Sequence, residues 1–286
     1  MASNVTIVCE YSIALVLYSI SLVLLLRILR SIWLRSKKFK KNFLTKSNVT
    51  ASLLIYLISW SIVIIVSLPF LLYYIVTWRP AASVRDGPTL FWLAIWSVPS
   101  QICMSCSVLL LTLERISYIH WPALRHSHRK YPFIIFGVSI GLLLAWSSIL
   151  WTVMYELPIP PTIDCAAYAC IFRPNVLDFY TQTRRSLAVL NSLLGIYFFV
   201  LLQKKWKAGS AAKCSYHRIN VMAGVVLIAE FSLNILPMAL TAFLYYCCNM
   251  WITTIVGPIF NTILVAMDVF IASVVYTTWL GKRLKR

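Results

Sequence analysis

Arg27-Ile-Leu-Arg30-Ser-Ile-Trp-Leu-Arg35-Ser-Lys37-Lys38-Phe-Lys40-Lys41-Asn-Phe-Leu-Thr-Lys46 sets eight Lys and Arg residues, and no acid, between two long apolar stretches. Lys and Arg resist translocation across a bilayer, so a segment of this kind is expected on the cytoplasmic side, with the short N-terminus outside. Every later segment then alternates from that starting point.

The composition agrees with a chain built for lipid. Hydrophobic residues make up 60% and charged residues only 12%, against about 25% charged in soluble domains. Seven apolar stretches lie near residues 9–34, 51–77, 90–113, 132–155, 186–203, 219–246 and 251–280, each long enough to cross about 30 Å of hydrocarbon, the fifth only just. Residues 1–10 contain no Lys or Arg, so the basic start of a secretory signal is absent and the first stretch reads as a retained helix. No internal repeat or linker interrupts the chain. The expectation is an all-α membrane protein, a seven-transmembrane helix bundle over 1–286 as one domain, N-terminus outside and C-terminus cytoplasmic.

Charge tests the helix count. The four segments assigned to the inner face carry +8, +3, +5 and +4, whereas the four on the outer face sum to zero. A wrong count would scatter the positive charge over both faces. The net charge of +18 therefore records topology and contact with anionic lipid headgroups rather than nucleic-acid binding.

The cysteines divide by position. Cys103 and Cys106 fall inside the third stretch as small buried hydrophobes, and Cys214 faces the reducing side. Cys165, Cys170, Cys247 and Cys248 face the oxidising side and are candidates for a disulfide, whose connectivity the sequence leaves open. No His accompanies them, so no metal site is expected. Asn4-Val5-Thr6 is a candidate N-glycosylation sequon on the outer side.

The residues Leu113-Glu114-Arg115-Ile116-Ser-Tyr118-Ile-His120-Trp121-Pro122 place an acid–Arg pair at the inner end of the third stretch, with Pro seven residues after the Arg. Alone, this reads equally well as a basic flank holding one acid. Set at the end of the third of seven spans, it resembles the Asp/Glu-Arg-Tyr signature of rhodopsin-like G-protein-coupled receptors. Phe231-Ser-Leu-Asn234-Ile-Leu-Pro237 likewise resembles their Phe-x-x-Cys-Trp-x-Pro segment, keeping Phe and Pro. Other hallmarks are missing. Ile116 replaces the aromatic, Leu90 stands where a Cys is usual, and His217 stands where an acid commonly pairs with the Arg. The seventh stretch offers only Asp268 and Tyr276 in place of Asn-Pro-x-x-Tyr. A chain that keeps Glu-Arg…Pro and loses the rest resembles the nematode chemosensory serpentine receptors, class BC or a close relative. That resemblance implies a plasma-membrane receptor of a chemosensory neuron that detects a small environmental molecule and activates a heterotrimeric G protein. It implies coupling and switching roles for Glu114, Arg115, Pro122 and Pro237, with Pro237 as the hinge of the sixth helix.

Ionisable groups within the membrane are costly and usually face a cavity or a partner. Glu230, roughly 16 Å into the sixth stretch, and Asp268, seven residues after Asn261 and on the same helix face, are the two acids of this kind. With Gln101, Asn191 and Asn234 they form a candidate internal polar network or ligand contact, set against the plainer reading of hydrogen-bonded helix–helix glue. Trp96 and its aromatic neighbours at the outer halves of the third and sixth stretches would line a pocket for a small, largely apolar ligand, although aromatics gather at membrane interfaces in any case. Ser97 replaces the acid with which amine receptors pair an ammonium group. The seventh stretch has no Lys, which excludes a retinal Schiff base. No cofactor is implied.

Two other classes of function compete. An enzyme is not expected, because neither His-Glu-x-x-His nor Gly-x-Ser-x-Gly occurs. A small-molecule transporter or ligand-gated channel is the stronger rival, opposed by the odd span number and the lack of inverted repeats.

Overall fold

The computed structural model describes residues 4–38, 50–78, 84–121, 130–164, 174–207, 224–248 and 260–284. The first helix (Asn4–Lys38) is 35 residues long, about 52 Å at 1.5 Å per residue, and so outruns the hydrocarbon layer. Its last turns carry the first part of the basic stretch, Arg27 to Lys38, which is helical. The second helix (Ala51–Val76) begins where Thr50 Oγ1 accepts the Leu53 N–H at 3.3 Å, and it runs through Pro69. Two helices make the third span, Gly87–Ile95 and Ser97–His120, meeting at Trp96. Pro99 therefore stands in the first turn of the second piece, where a missing N–H costs nothing.

The fourth helix is Lys130–Glu156 and the fifth Pro174–Lys207. The fifth starts twelve residues before the expected 186, which moves Arg184 and Arg185 from a loop into the helix. The sixth is helical over 224–230, widens into a π turn at Phe231–Ile235 and resumes over Leu236–Cys248. Pro237 accounts for the widening. It has no N–H to offer the preceding turn and its ring crowds the carbonyl four residues back, so the Leu236 N–H bonds instead to the Phe231 carbonyl. The seventh helix is Phe260–Leu284.

Among the described residues, six helices are long and apolar enough to cross a membrane, and Gly224–Leu233 is a shorter apolar piece of the sixth. The outward surface agrees. Met154, Leu143, Ile135 and Phe136 are each more than 60% exposed, a surface that only lipid would cover. The first helix packs along the second and the seventh, and the third packs along the second, fourth and fifth. Gly137 and Gly141 let the fourth helix approach the third closely. A Cβ on Gly141 would lie 3.2 Å from Cys106 Cβ, and one on Gly137 would run into the Leu110 side chain. Small residues at this spacing are the usual means of close helix contact in lipid, where apolar surface alone gives no preference for helix over lipid.

At the bundle end that carries the N-terminus, strands β1 (Val84–Asp86) and β2 (Thr162–Asp164) pair antiparallel, with Arg85 opposite Ile163. The Arg85 guanidinium sits 4.4 Å over the Tyr74 ring, which stacks on Tyr11 at 4.7 Å. Asp86 caps the third span by accepting the Thr89 N–H at 2.9 Å. The Thr89 hydroxyl and that same N–H hold the Asp86 carboxyl below the usual carboxylate range.

Candidate functional site

Polar side chains within a bilayer-spanning bundle need partners, and among the described residues several meet between the third and fifth spans. Tyr180 donates its hydroxyl to Gln101 Oε1 at 2.6 Å. Arg184, one turn on, donates from Nη1 to the Tyr180 hydroxyl at 3.3 Å. Asn191 Nδ2 donates to the Ser105 carbonyl at 3.1 Å. Towards the far end, His120 Nε2 and the Tyr197 hydroxyl are 2.9 Å apart, with their rings near parallel at 17°.

Charge from other helices gathers beside this ladder. Arg184 lies within electrostatic reach of Glu230 on the sixth helix and Tyr18 on the first. Tyr18 lies within reach of Asp268 on the seventh. Asn191, Glu230 and Asp268 are all buried. One cation and two acids from three helices thus lie near one another within the bundle.

Gln101, Asn191, Glu230 and Asp268, named from the sequence, lie in or beside this cluster. Asn234 falls within the π turn and Asn261 on the second residue of the seventh helix. Trp96 stands apart from the cluster, at the junction of the third-span helices and 48% exposed; Trp92 and Phe243 are exposed too, as interface aromatics are. Arg184, Tyr180 and Tyr18 were not singled out in the sequence. Two adjacent arginines on the face with no net charge were the available signal.

The far end of the third span holds a second group. Glu114 and Arg115 are both buried. The Tyr118 hydroxyl, one turn on, donates to Glu114 Oε1 at 2.7 Å. Arg115 lies within electrostatic reach of Tyr276 on the seventh helix, and its Nε has no hydrogen-bond partner. It borders a gap of about 10 Å³ shared with Phe198, Val226 and Leu227, room for one water at most. Pro237 is the second residue of the helix that resumes after the π turn, whereas Pro122 lies outside the described residues.

Cys103 and Cys106 are free thiols; Cys106 is buried, as expected of a small hydrophobe, whereas Cys103 is only half-buried. Cys247 is exposed and free, and Cys165 and Cys170 lie outside the described residues. Asn4 is the first residue of the first helix. Among the described residues no cluster of His, Cys, Asp and Glu fits a metal ion.

A helical bundle of this kind is matched by one family description. The family model for the serpentine type 7TM GPCR chemoreceptor Srbc covers residues 2–283. The chain belongs to this family. No curated protein matches it. As an Srbc chemoreceptor the chain is a multi-pass membrane receptor and not an enzyme. Nearly its whole length takes part in the match, so the buried charges belong to the receptor body itself.

Proposed function

We propose that this Srbc chain is a chemoreceptor lying in the plasma membrane of a chemosensory neuron with its N-terminus outside. In this reading it binds a small, largely apolar molecule within the bundle and activates a heterotrimeric G protein from its basic cytoplasmic face. The charge asymmetry between the two faces supports the orientation.

The observation that carries the reading is Arg115. A guanidinium 4% exposed, facing Tyr276 and the sixth-helix side chains Val226 and Leu227, is expensive to keep for packing alone. It suits a latch that opens when the sixth helix moves away and that then offers its charge to a partner. The π turn before Pro237 gives that helix a place to bend. The polar centre around Arg184 and Glu230 supports a ligand site above the latch, because a guest that meets those groups redistributes hydrogen bonds between helices.

The test is agonist-evoked G-protein signalling in a heterologous cell. Arg115→Ala is expected to abolish the response at unchanged surface expression. A transmembrane current that survives without any G protein would replace the receptor reading with a channel.

A further inference from the structure

A cavity of about 210 Å³ lies between the fifth and sixth helices, bordered by Asn191, Gly195, Ile196, Ile228, Glu230 and Phe231. Its wall is apolar apart from Asn191, Ser192 and Glu230, and the Ser192 hydroxyl already donates to the Ala188 carbonyl at 2.8 Å. Its rim is open to the side. Ile196 and Ile228 are more than half exposed and Phe231 is 43% exposed, on the surface that lipid would cover.

Two observations point to a ligand. The first is size. An apolar cavity of about 150 Å³ takes up benzene, whereas drug-sized guests need about 300 Å³ or more, so this space fits a molecule somewhat larger than a single ring. The second is an unpaired acceptor on a residue of the cavity wall. Asn191 is 2% exposed, its Nδ2 is engaged by the Ser105 carbonyl, and its Oδ1 has no hydrogen-bond partner. A buried amide oxygen left this way is costly, and a guest bearing a donor would satisfy it. Gly195 keeps the space open, since a Cβ there would only touch Leu227 at 4.0 Å.

We propose that this cleft is a membrane-side binding site for a small apolar molecule carrying one hydrogen-bond donor, such as a short alkanol or benzyl alcohol, which enters from the bilayer and donates to Asn191 Oδ1. It deepens the receptor reading by giving the ligand a route through lipid, yet occupancy requires no G protein. A guest here separates the sixth helix from the fifth immediately beside the π turn.

The test uses the full-length chain in lipid nanodiscs and a diazirine-bearing alkanol, photolysed and mapped by mass spectrometry. Labelling is expected to concentrate on residues 191–199 and 227–231 and to be suppressed by unlabelled benzyl alcohol. Toluene, matched in bilayer concentration but lacking the hydroxyl, should protect about tenfold less well, the effect of one buried hydrogen bond. Gly195→Leu fills the space and should remove the label there, while Gly195→Ala leaves it; thermal melting of each variant without probe confirms folding. Labelling spread evenly over the lipid-facing helices, equal protection by toluene, or an unchanged pattern in folded Gly195→Leu would each overturn the proposal. Loss of this site with agonist-evoked signalling intact leaves the receptor reading standing. Site-specific labelling in a chain that gives no G-protein response to any agonist would instead remove the proposed coupling and keep the site.

Discussion

The third span and the fifth–sixth pair are built for opposite purposes. The most apolar stretch of the third is 71% buried, against 17% in the fifth. The third is wedged among three neighbours and meets the fourth at glycines; the sixth has a π turn, a proline and an open cleft. Rigid packing keeps one helix as the reference, and sparse packing frees another to shift against it. Arg115 sits on the closely packed member and borders Val226 and Leu227 of the sixth helix.

The largest expected effect is complete loss of signalling in Arg115→Ala with normal membrane insertion, read by a G-protein reporter alongside surface labelling. A response that persists would show that the fixed helix takes no part in the switch. Next comes a pair of equal substitutions. Gly137→Leu overpacks the contact between the third and fourth helices and should cost about 1–3 kcal/mol, seen as a lower melting midpoint in detergent. Gly195→Leu adds the same atoms to open space and should cost much less. Equal losses would erase the contrast in packing.

Arg184 on the fifth helix lies within electrostatic reach of Glu230 on the sixth. A double-mutant cycle of Arg184→Met and Glu230→Gln, followed by thermal unfolding, should give a coupling of about 0.5–3 kcal/mol. Zero coupling would separate the two groups and loosen the pair further. Tyr197→Phe removes the partner of His120 at an exposed position, and about 0.5 kcal/mol of stability should go with it. The smallest effect concerns Asp86, the cap of the third span. Its lowered carboxyl range means that the cap contributes fully above the ordinary carboxylate pKa and is lost as pH falls through the folded value. Asp86→Asn keeps a capping acceptor and should flatten the acid-side slope of the melting midpoint, whereas an unchanged slope would assign that pH dependence to other carboxylates.

Much of this was legible before any coordinates. Apolar length and the distribution of Lys and Arg give the spans, because lipid thickness and translocation act on local sequence. Glu230 and Asp268 stand out because each interrupts an apolar run. Arg184 does not, since Tyr180 to Ser186 is polar enough to resemble a loop; its hydrogen-bond partner Tyr180 is one turn away, but Glu230 and Tyr18 lie on the sixth and first helices, beyond the reach of any local window. The tight fit at Gly137 and Gly141 also depends on Leu110 and Cys106 across the interface. Pro237 pointed to an irregularity, but a π turn and a simple kink share the same sequence cue.

The seam between the first and seventh helices has a consequence for biogenesis. The chain is made from its N-terminus. Tyr11 meets Phe70 and Tyr74 as soon as the second helix is in place, whereas Tyr18, packed in the finished receptor and within reach of Asp268, must wait in lipid or against the insertion machinery until the last span emerges. Ring closure is therefore the final act of synthesis. A chain cut short before Asp268 leaves Tyr18 and its neighbours uncovered, which gives cellular quality control a direct mark of an incomplete product.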